Sequence, residues 1–563
     1  GHSYDALIGI ARQQMSSSVM VASLGGENRR ASDAVVFRQA LARAWECGVS
    51  IQWERLDGET AGRRVPLPTY PFERQRYWIE PAPPTVEAAA PAPSDLPNSS
   101  TGDSYVKRED IATWFYAPCW KSTPPAMIAL PAQGKPAGCW LVLAGKGPLS
   151  SALISALRAQ GVKVVCLRAG ERFVWQQGDA VVNLSRAADL DMLWERIDAS
   201  GLQPEGLLCL PGIQDATTSA YEAVLQILQT ACSRRRYLRR FEFITTSAES
   251  VNRDPVTDPE SGEPHGLART ISVEFDGSEC RCIDVEMLGD PQPLVQHLLE
   301  ELSTNGPRLA VAYRGGLRWQ KGWTPAPLKQ GSQSPFRTGG VYLITGGVGG
   351  IGYVLATHLL SRHGARVAVV GRTALPNRGE WESWIVRHGE DDPASRRIRR
   401  LQELERAGGE VFFQAANVAD RDAMRAVIER TQERFGPLNG VIHAAGVPGG
   451  SRILFQTAEE AREILRPKVH GSRVLAELLQ GSNIDFLLFC SSISAIVPAA
   501  SQSSYAAANA FQNSFADYCR GVLNIPAMAI GLDGWREVGM LADTAVPEGM
   551  ESYFDERMRS ALT

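Results

Sequence analysis

Short apolar runs alternate with helix-length amphipathic stretches over the second half of the chain. The runs cover residues 341–344, 365–370, 411–414, 440–443, 486–489 and 527–530. Strands that alternate with helices in this way are typical of a parallel sheet covered by helices on both faces. The pattern therefore predicts one doubly wound parallel sheet within residues 333–563.

A weaker version of the same rhythm precedes it, with apolar runs at 140–144, 162–167, 206–210 and 241–245. The turn after the first run reads Gly145-Lys146-Gly147-Pro148. It lacks a third glycine, and its proline stands where a helix-terminal N–H would face a phosphate. We therefore expect residues 111–332 to form a truncated Rossmann-like sheet without a cofactor. The predicted fold class is α/β, with two Rossmann-like, doubly wound parallel sheets.

The residues before 111 follow a different pattern. Apolar positions at helical spacing predict helices near residues 5–15 and 34–48. The aromatic-rich segment 65–78 contains several prolines, which forbid a regular helix or a central strand, so we expect it to lie extended on another domain. Residues 81–104 are rich in Pro, Ala and Ser and cannot build a core, which predicts a flexible linker within 81–110.

The composition of the chain excludes some classes of binding partner. The chain has 563 residues, of which 44% are hydrophobic and 21% charged, and its formal net charge is −4. This nearly balanced charge does not indicate a surface that binds nucleic acid or an anionic membrane. The sequence shows neither a long apolar stretch typical of a membrane span nor a secretory signal segment. We therefore expect a cytoplasmic protein that binds neither nucleic acid nor membrane.

The cysteines and the arginine clusters are given ordinary structural roles. Of 10 cysteines, only Cys280 and Cys282 are close together, so no zinc-ligand spacing and no metal site is predicted. Reduced and mostly buried thiols are expected. Two short arginine clusters, within 234–240 and 396–400, are expected to be solvated helix faces.

A glycine-rich loop carries the first chemical signal. It reads Thr345-Gly346-Gly347-Val348-Gly349-Gly350-Ile351-Gly352, after a predicted strand and before a predicted helix. Glycines at 346, 350 and 352 would let the backbone pass close to a pyrophosphate at the helix N-terminus. A tight turn is the alternative interpretation, but the flanking strands favour a nucleotide site.

The end of the next predicted strand reads Gly371-Arg372-Thr373. An acidic residue there would bind the ribose 2′-hydroxyl of NAD, whereas an arginine suits the 2′-phosphate of NADP. Arg372 therefore predicts NADPH as the cofactor, with a plain surface arginine as the alternative.

Four further polar residues suggest a catalytic centre. Ser492 follows a predicted strand, and ligands of such sheets bind beyond the carboxyl ends of the strands. Tyr505 and Asn509 are four residues apart and share one helix face. A core tyrosine and a solvated asparagine are the simpler alternatives. We favour catalysis, because these residues occur together with Lys468 behind a nucleotide loop.

These motifs resemble modular type I polyketide synthases. Residues 1–80 are similar to the end of the acyltransferase and its following linker, whose motif is matched by Leu67-Pro68-Thr69-Tyr70-Pro71-Phe72. Beyond the flexible linker at 81–110, residues 111–332 resemble the structural subdomain of the ketoreductase. Residues 333–563 resemble its catalytic subdomain. The resemblance covers nearly the whole chain and implies a short-chain dehydrogenase fold.

The resemblance implies a catalytic tetrad of Lys468, Ser492, Tyr505 and Asn509. Ordinary short-chain dehydrogenases carry the lysine four residues after the tyrosine, whereas polyketide ketoreductases resemble this chain, with asparagine there and the lysine upstream. The implied cofactor-binding residues are Thr345, Gly346, Gly347, Gly349, Gly350, Ile351, Gly352, Arg372, Thr373, Asn417, Val418, Ala444, Ala445 and Gly446. The implied substrate is a β-ketoacyl chain on the phosphopantetheine of an acyl carrier protein, beside ketosynthase and acyltransferase domains.

The implied reaction assigns a role to each residue of the tetrad. Hydride passes from the nicotinamide to the β-carbonyl carbon, and Tyr505 protonates the oxygen. An unperturbed phenol has a pKa of about 10, and we expect Lys468 to lower the pKa of Tyr505 by its opposite charge. Ser492 would hydrogen-bond the developing oxyanion. Asn509 would hold a proton-relaying water or orient Lys468.

Some positions depart from the family pattern. Asn417 stands where an aspartate is usual, although its carbonyl can still accept a hydrogen bond. The family normally continues beyond the lid near Met540 with a helix and an edge strand, so we expect a truncation at Thr563. A non-catalytic spacer that retains the fold is the competing interpretation. A free metabolic dehydrogenase is disfavoured by the segment 65–78.

The stereochemical fingerprints are incomplete. The Leu-Asp-Asp signature of B-type ketoreductases is replaced by Pro448-Gly449-Gly450, and the tryptophan often found in the A-type is replaced by Val497. Gln502 stands where an epimerising subtype has histidine. The resemblance therefore implies A-type reduction, an L-configured hydroxy product and no epimerisation.

Overall fold

The computed structural model describes residues 33–52, 110–124, 138–212, 219–287, 289–304, 310–328, 334–543 and 561. Contacts divide the chain into two units, 1–102 and 103–563. The first unit contains helix α1 (Asp33–Glu46), which confirms the helix predicted near 34–48. The helix predicted at 5–15, the extended segment 65–78 and the linker 81–104 lie outside the described residues.

The first part of the second unit forms a ten-stranded sheet with five accompanying helices among the described residues. Its strands are β1 (Tyr116–Thr123), β2 (Cys139–Ala144), β3 (Lys163–Ala169), β4 (Val174–Gln176), β5 (Asp179–Val182), β6 (Pro204–Cys209), β7 (Arg240–Thr246), β8 (Glu279–Val285), β9 (Val311–Arg314) and β10 (Leu317–Pro325). The helices are α2 (Pro148–Ala159), α3 (Ala187–Ala199), α4 (Ala220–Ser233), α5 (Glu263–Glu274) and α6 (Gln292–Leu302).

The order of this sheet is β1-β10-β9-β8-β7-β6-β2-β3-β5-β4. The strands from β9 to β5 run parallel, whereas β1, β10 and β4 pair antiparallel at the two edges. Between β3 and β5 the chain forms only β4, where a doubly wound sheet would have a crossover helix. The missing helix is the truncation of this otherwise Rossmann-like sheet.

The turn after β2 is filled by protein. A Cβ built on Gly145 would lie 1.6 Å from the carbonyl oxygen of Pro211, so the backbone at 211 lies directly against the turn. The N–H of Lys146 donates to the carbonyl of Gly212 at 3.2 Å, and Pro148 occupies the first turn of α2. This packing favours the expectation that no nucleotide binds here, which stays a prediction.

The second sheet has six parallel strands in the order β13-β12-β11-β14-β15-β16. Its strands are β11 (Val341–Thr345), β12 (Arg366–Gly371), β13 (Glu410–Ala415), β14 (Gly440–His443), β15 (Phe486–Ser492) and β16 (Ala527–Leu532). The helices are α7 (Gly350–His363), α8 (Trp381–His388), α9 (Pro393–Arg406), α10 (Arg421–Phe435), α11 (Ala458–Leu479), α12 (Ser503–Gly521) and α13 (Met540–Asp543).

These elements confirm the predicted α/β class. The strand order reverses between β11 and β14, and such a switch point opens a crevice at the carboxyl ends of the strands. Each apolar run predicted as a strand overlaps a strand of one of the two sheets within one residue. The expected truncation at Thr563 stays a prediction, because residues 544–560 and 562–563 lie outside the described part of the chain.

Helix α12 lies between the two sheets and contacts α5 closely. A Cβ on Gly266 of α5 would lie 2.3 Å from the carbonyl oxygen of Ala506, so only glycine permits this approach of the two backbones. The buried hydroxyl of Tyr221 donates to Oε1 of Gln456 at 2.6 Å and lies 2.8 Å from the hydroxyl of Ser503. Helices α4 and α5, which precede residue 333, therefore contact the elements around the second sheet directly.

The remaining structural expectations concern cysteines, metals and membranes. All cysteines in the described residues are free, and most are buried, as expected. No described helix has the length and apolar character needed to cross a bilayer. No cluster of potential metal ligands occurs within the described ranges. Arg234 and Arg236 follow the end of α4 and pair with Asp191 and Asp198 of α3, and Arg240 lies in β7. The expectation that the 234–240 cluster is a solvated helix face is therefore wrong.

Candidate active site

The glycine-rich loop joins β11 to α7 and lies against the end of β14. Gly346 has φ +74°, and a Cβ there would lie 2.9 Å from the carbonyl oxygen of Ala444. A Cβ on Gly352 would lie 2.4 Å from the carbonyl oxygen of Gly346. Side chains are therefore excluded at both positions, and the first turn of α7 lies close to the loop, as expected for a phosphate-binding cradle.

A cleft of about 1040 Å³ opens beyond the carboxyl ends of the second sheet. Twelve of the predicted cofactor-binding residues line it: Thr345, Gly346, Gly349, Gly350, Ile351, Arg372, Thr373, Asn417, Val418, Ala444, Ala445 and Gly446. Gly347 and Gly352 do not line the cleft, because they contact the protein behind the loop. A Cβ on Gly347 would lie 2.9 Å from Cβ of Val369.

The same cleft is lined by an arginine that the sequence analysis expected on a solvated helix face. Arg397 of α9 lines it together with Arg372, so the expectation that the 396–400 cluster is only a solvated face is wrong for this residue. Arg400 donates to the carbonyl of Val348 at 3.3 Å and lies over the ring of Tyr353. The cluster supports the glycine loop because α9 packs beside α7, a tertiary contact that charge spacing does not reveal.

Tyr505 and Ser492 meet in the cleft. Ser492 is the last residue of β15, and Tyr505 lies in the first turn of α12. Both line the cleft. Burial raises the pKa of Tyr505, and its hydrogen bond to Ser492 offsets only part of that rise. The phenol therefore stays protonated at neutral pH and is available as a proton donor.

Lys468 projects from α11 into the same region and is only 3% exposed. Its Nζ lies 5.9 Å from the centroid of the Tyr505 ring, and it donates to the carbonyl of Cys490 at 2.7 Å and to Oε1 of Gln512 at 2.9 Å. Burial lowers the pKa of Lys468 to about 8. Gln512 was not predicted from the sequence as part of the site.

The expected lowering of the Tyr505 pKa by Lys468 is not what the structure shows. The pKa of the phenol is raised, because burial is the largest influence on it. An amine with a pKa of about 8 has lost its charge before a phenol with a raised pKa ionises. Lys468 therefore acts as a cation near Tyr505 only below or near that pH.

Asn509 lies beneath the tyrosine and does not line the cleft. Its Nδ2 donates to the carbonyl of Tyr505, four residues earlier, at 2.7 Å. Its Oδ1 is buried and accepts no hydrogen bond from the described residues. A buried acceptor of this kind favours the expected proton-relaying water over the alternative that Asn509 orients Lys468.

His443 links the glycine loop to the helix that carries the lysine. Its Nε2 lies 3.0 Å from the carbonyl of Pro467, and its Nδ1 lies 2.7 Å from the hydroxyl of Thr345. Burial, followed by the charge of Lys468, lowers the pKa of His443 to about 3, so the ring is neutral. It therefore donates to Pro467 and accepts from Thr345, which fixes one tautomer.

The residues implied to control stereochemistry lie at different places. A Cβ on Gly449 would lie 3.2 Å from Cβ of Tyr505, so the 448–450 segment lies directly beside this tyrosine. Gln502 lines the cleft. Val497 is 53% exposed and is absent from the lining of the cleft.

Comparisons with known proteins show which proteins this chain is similar to. Residues 340–537 match the family model described as the KR domain. Polyketide synthase PksM of Bacillus subtilis (strain 168) is 26% identical over 503 residues, which cover 88% of this chain and 11% of that protein. The pikromycin polyketide synthase component PikAIII of Streptomyces venezuelae is 27% identical over 493 residues, which cover 85% of this chain and 26% of that protein. The chain thus spans a small fraction of the length of these relatives.

Solved structures show the same fold. An A-type ketoreductase from a modular polyketide synthase superposes with a TM-score of 0.62 at 24% identity, covering 77% of this chain and 85% of that chain. An N-terminal ketoreductase from the macrolactin assembly line gives 0.60 at 21% identity, covering 79% and 90%. A C2-type ketoreductase from a modular polyketide synthase gives 0.61 at 19% identity, covering 80% of this chain and 88% of that chain, so fold similarity does not separate the stereochemical types.

Proposed function

We propose that this chain, the ketoreductase region of a modular polyketide synthase, reduces a β-ketoacyl thioester held by an acyl carrier protein to the β-hydroxyacyl thioester, with NADPH as the reductant. The observation that carries the proposal is the placement of Tyr505, Ser492 and Lys468 in the cleft that the glycine loop lines. A protonated phenol, a hydroxyl and a buried amine suit protonation of a developing alkoxide.

The cleft fits a dinucleotide with a 2′-phosphate. The space beside Gly346 and the start of α7 would hold the pyrophosphate, because no side chain fills it. Arg372 and Arg397 would bind the 2′-phosphate, which supports NADPH over NADH. When bound, NADPH would supply a hydride to the β-carbonyl carbon.

The chain itself would supply the proton and the charge stabilisation. Tyr505 would donate its proton to the carbonyl oxygen, and Ser492 would hydrogen-bond that oxygen as charge develops on it. Lys468 would favour the resulting phenolate by its positive charge. The buried Oδ1 of Asn509 would accept from a water that returns a proton to Tyr505.

We further propose A-type stereochemistry, with an L-configured hydroxyl and no epimerisation. The segment Pro448-Gly449-Gly450 offers no carboxylate to guide a pantetheine arm past that side of Tyr505. Gln502 cannot supply the titratable imidazole found in the epimerising subtype. Chiral chromatography of the product checks this assignment, and a predominantly D-configured product would contradict it.

The remaining assignments follow the same resemblance. Residues 1–80 would be the end of an acyltransferase with its linker, 81–110 a flexible linker, 111–332 the structural subdomain and 333–563 the catalytic subdomain. The partners would be an acyl carrier protein and the neighbouring ketosynthase and acyltransferase domains, as in the multidomain polyketide synthases that the chain resembles.

The decisive experiment follows NADPH consumption with a β-ketoacyl pantetheine thioester. We expect substrate-dependent oxidation and a β-hydroxyacyl product, with Tyr505→Phe as the inactive control. NADPH that binds with normal affinity but is not oxidised with any β-ketoacyl thioester would contradict the proposal and would favour a non-catalytic spacer.

A further inference from the structure

Gln512 lies on the same face of α12 as two residues of the proposed tetrad. It follows Tyr505 by seven residues and Asn509 by three, which places all three along one side of the helix. Its side chain is completely buried. Oε1 of Gln512 accepts a hydrogen bond from Nζ of Lys468 at 2.9 Å, so this amide holds the amine from the side of α12.

The orientation of the Gln512 amide is fixed by a second hydrogen bond. The hydroxyl of Ser472 donates to the carbonyl of Lys468, one turn earlier on α11, which uses its only proton. Its oxygen can therefore only accept, and it does so from Nε2 of Gln512 at 3.2 Å. A flipped amide would place its NH₂ donor against the amine and its oxygen against a hydroxyl oxygen whose proton is committed, so Oε1 must face Lys468.

The other ionisable groups around Lys468 carry no charge that would hold it. Cys490 of β15 has a pKa raised to about 11 by burial, and His443 of β14 is neutral because its pKa is about 3. Tyr505 of α12 stays protonated. No carboxylate forms an ion pair with Lys468 in the part of the chain that the structure describes. Two neutral acceptors, Gln512 and the carbonyl of Cys490, are therefore the groups that favour the ammonium form.

We propose that Gln512 is a positioning residue that keeps Lys468 charged and directed at Tyr505, with Ser472 setting the orientation of the amide. The inference rests on the function proposed above, because the charge of Lys468 matters when Tyr505 gives up its proton. Hydrogen bonds to a charged group favour the charged form.

Two substitutions with opposite chemistry test the proposal. Gln512→Met removes the acceptor and keeps an unbranched side chain, so Lys468 should lose its proton at lower pH. Gln512→Glu replaces a neutral acceptor by a carboxylate, so Lys468 should keep its proton to higher pH. The alkaline limb of kcat/KM against pH is expected to move down for Gln512→Met and up for Gln512→Glu, each by about one pH unit. Asn513→Met, the next residue on the same helix, is the matched control and should leave the limb in place.

A second readout makes the result independent of turnover. Carbon-13 NMR of lysines labelled at Cε follows the titration of Lys468, with Lys468→Met identifying its signal. The same opposite shifts are expected there, together with an unchanged Kd for NADPH. If the wild-type protein reduces no thioester, the proposed function fails while the NMR titration still decides the role of Gln512. Equal titration of Lys468 in wild type and both variants, or shifts in the same direction, would overturn the inference.

Discussion

The backbone N–H of Ser501 donates to a carboxylate oxygen of Glu274 at 2.7 Å, across 227 residues of chain. The other oxygen of Glu274 accepts from the backbone N–H of Ile453, also at 2.7 Å. Glu274 ends α5, beside the sheet that precedes residue 333, whereas the two N–H groups lie in the two loops next to Tyr505. One half-buried carboxylate therefore holds both loops that border the cleft.

Glu274→Gln is expected to loosen these loops. An amide has only one oxygen, so one of the two N–H groups would face an NH₂ donor and lose its partner, at a cost of about 1–3 kcal/mol. We expect KM for the thioester to rise and stereochemical purity to fall, whereas the Kd of NADPH stays close to that of the wild type. Steady-state kinetics, chiral chromatography and cofactor titration measure these three effects.

The control for that variant is Glu279→Gln, which changes an exposed carboxylate at the start of β8. It should leave KM and product configuration unchanged. A Glu274→Gln enzyme with wild-type KM and product purity would show that the loops keep their conformation without the carboxylate.

Tyr505→Phe is expected to lower kcat by about 10²–10⁴-fold, the usual contribution of a general acid. The ring remains, so the contacts that shape the cleft stay, and NADPH affinity should be close to unchanged. Tyr518→Phe removes a hydroxyl from the same helix outside the cleft and serves as the control. Reduction at the normal rate by the Tyr505 variant would mean that the proton comes from another group.

Arg372→Asp is expected to weaken NADPH binding by about 10–100-fold while affecting NADH much less, since a charge-assisted hydrogen bond to the 2′-phosphate is lost. Arg397→Gln should act in the same direction with a smaller effect. Arg396→Gln, an exposed neighbour on α9, is the control. Isothermal titration should also give one NADPH per chain, because the turn after β2 is filled by the backbone near Pro211. Two nucleotides per chain, or equal loss of NADH and NADPH binding, would contradict this assignment.

The sequence predicted the features of the fold and of the site that depend on local sequence pattern. Apolar runs marked the strands, and the glycine loop with its flanking elements marked the cleft, because period and glycine spacing are local properties. The spacing of Gln512 from Tyr505 and Asn509 was visible on the same helix face, yet a glutamine there is equally compatible with a solvated position. Its role required the position of α11, which only the tertiary structure supplies.

Arg397 and Glu274 could not be predicted for a related reason. Arg397 belongs to an arginine cluster whose spacing fits a solvated helix, and only the packing of α9 beside α7 brings it to the cleft. Glu274 is distant in sequence from both N–H groups that it binds, and backbone N–H groups leave no signature in the sequence. The raised pKa of Tyr505 likewise depends on how deeply α12 is buried between the two sheets.

Stability should fall with rising pH in a window set by Glu263. Burial, followed by the neighbouring Glu260, raises the pKa of this carboxyl from 4.5 to about 8 at the start of α5. The folded state thus binds a proton that the unfolded chain releases between these values. The stabilisation is fully present below pH 4.5 and is lost as pH rises through about 8.

Glu263→Gln should remove this dependence, because a neutral amide of the same shape has no proton to lose. The variant is expected to match the wild type at low pH and to exceed its stability above pH 8. Urea midpoints measured across the window test this, with Glu433→Gln, an exposed carboxylate on α10, as the control. A wild-type slope that persists in the Glu263 variant would show that other groups between the two sheets, such as Glu274, bind the proton instead.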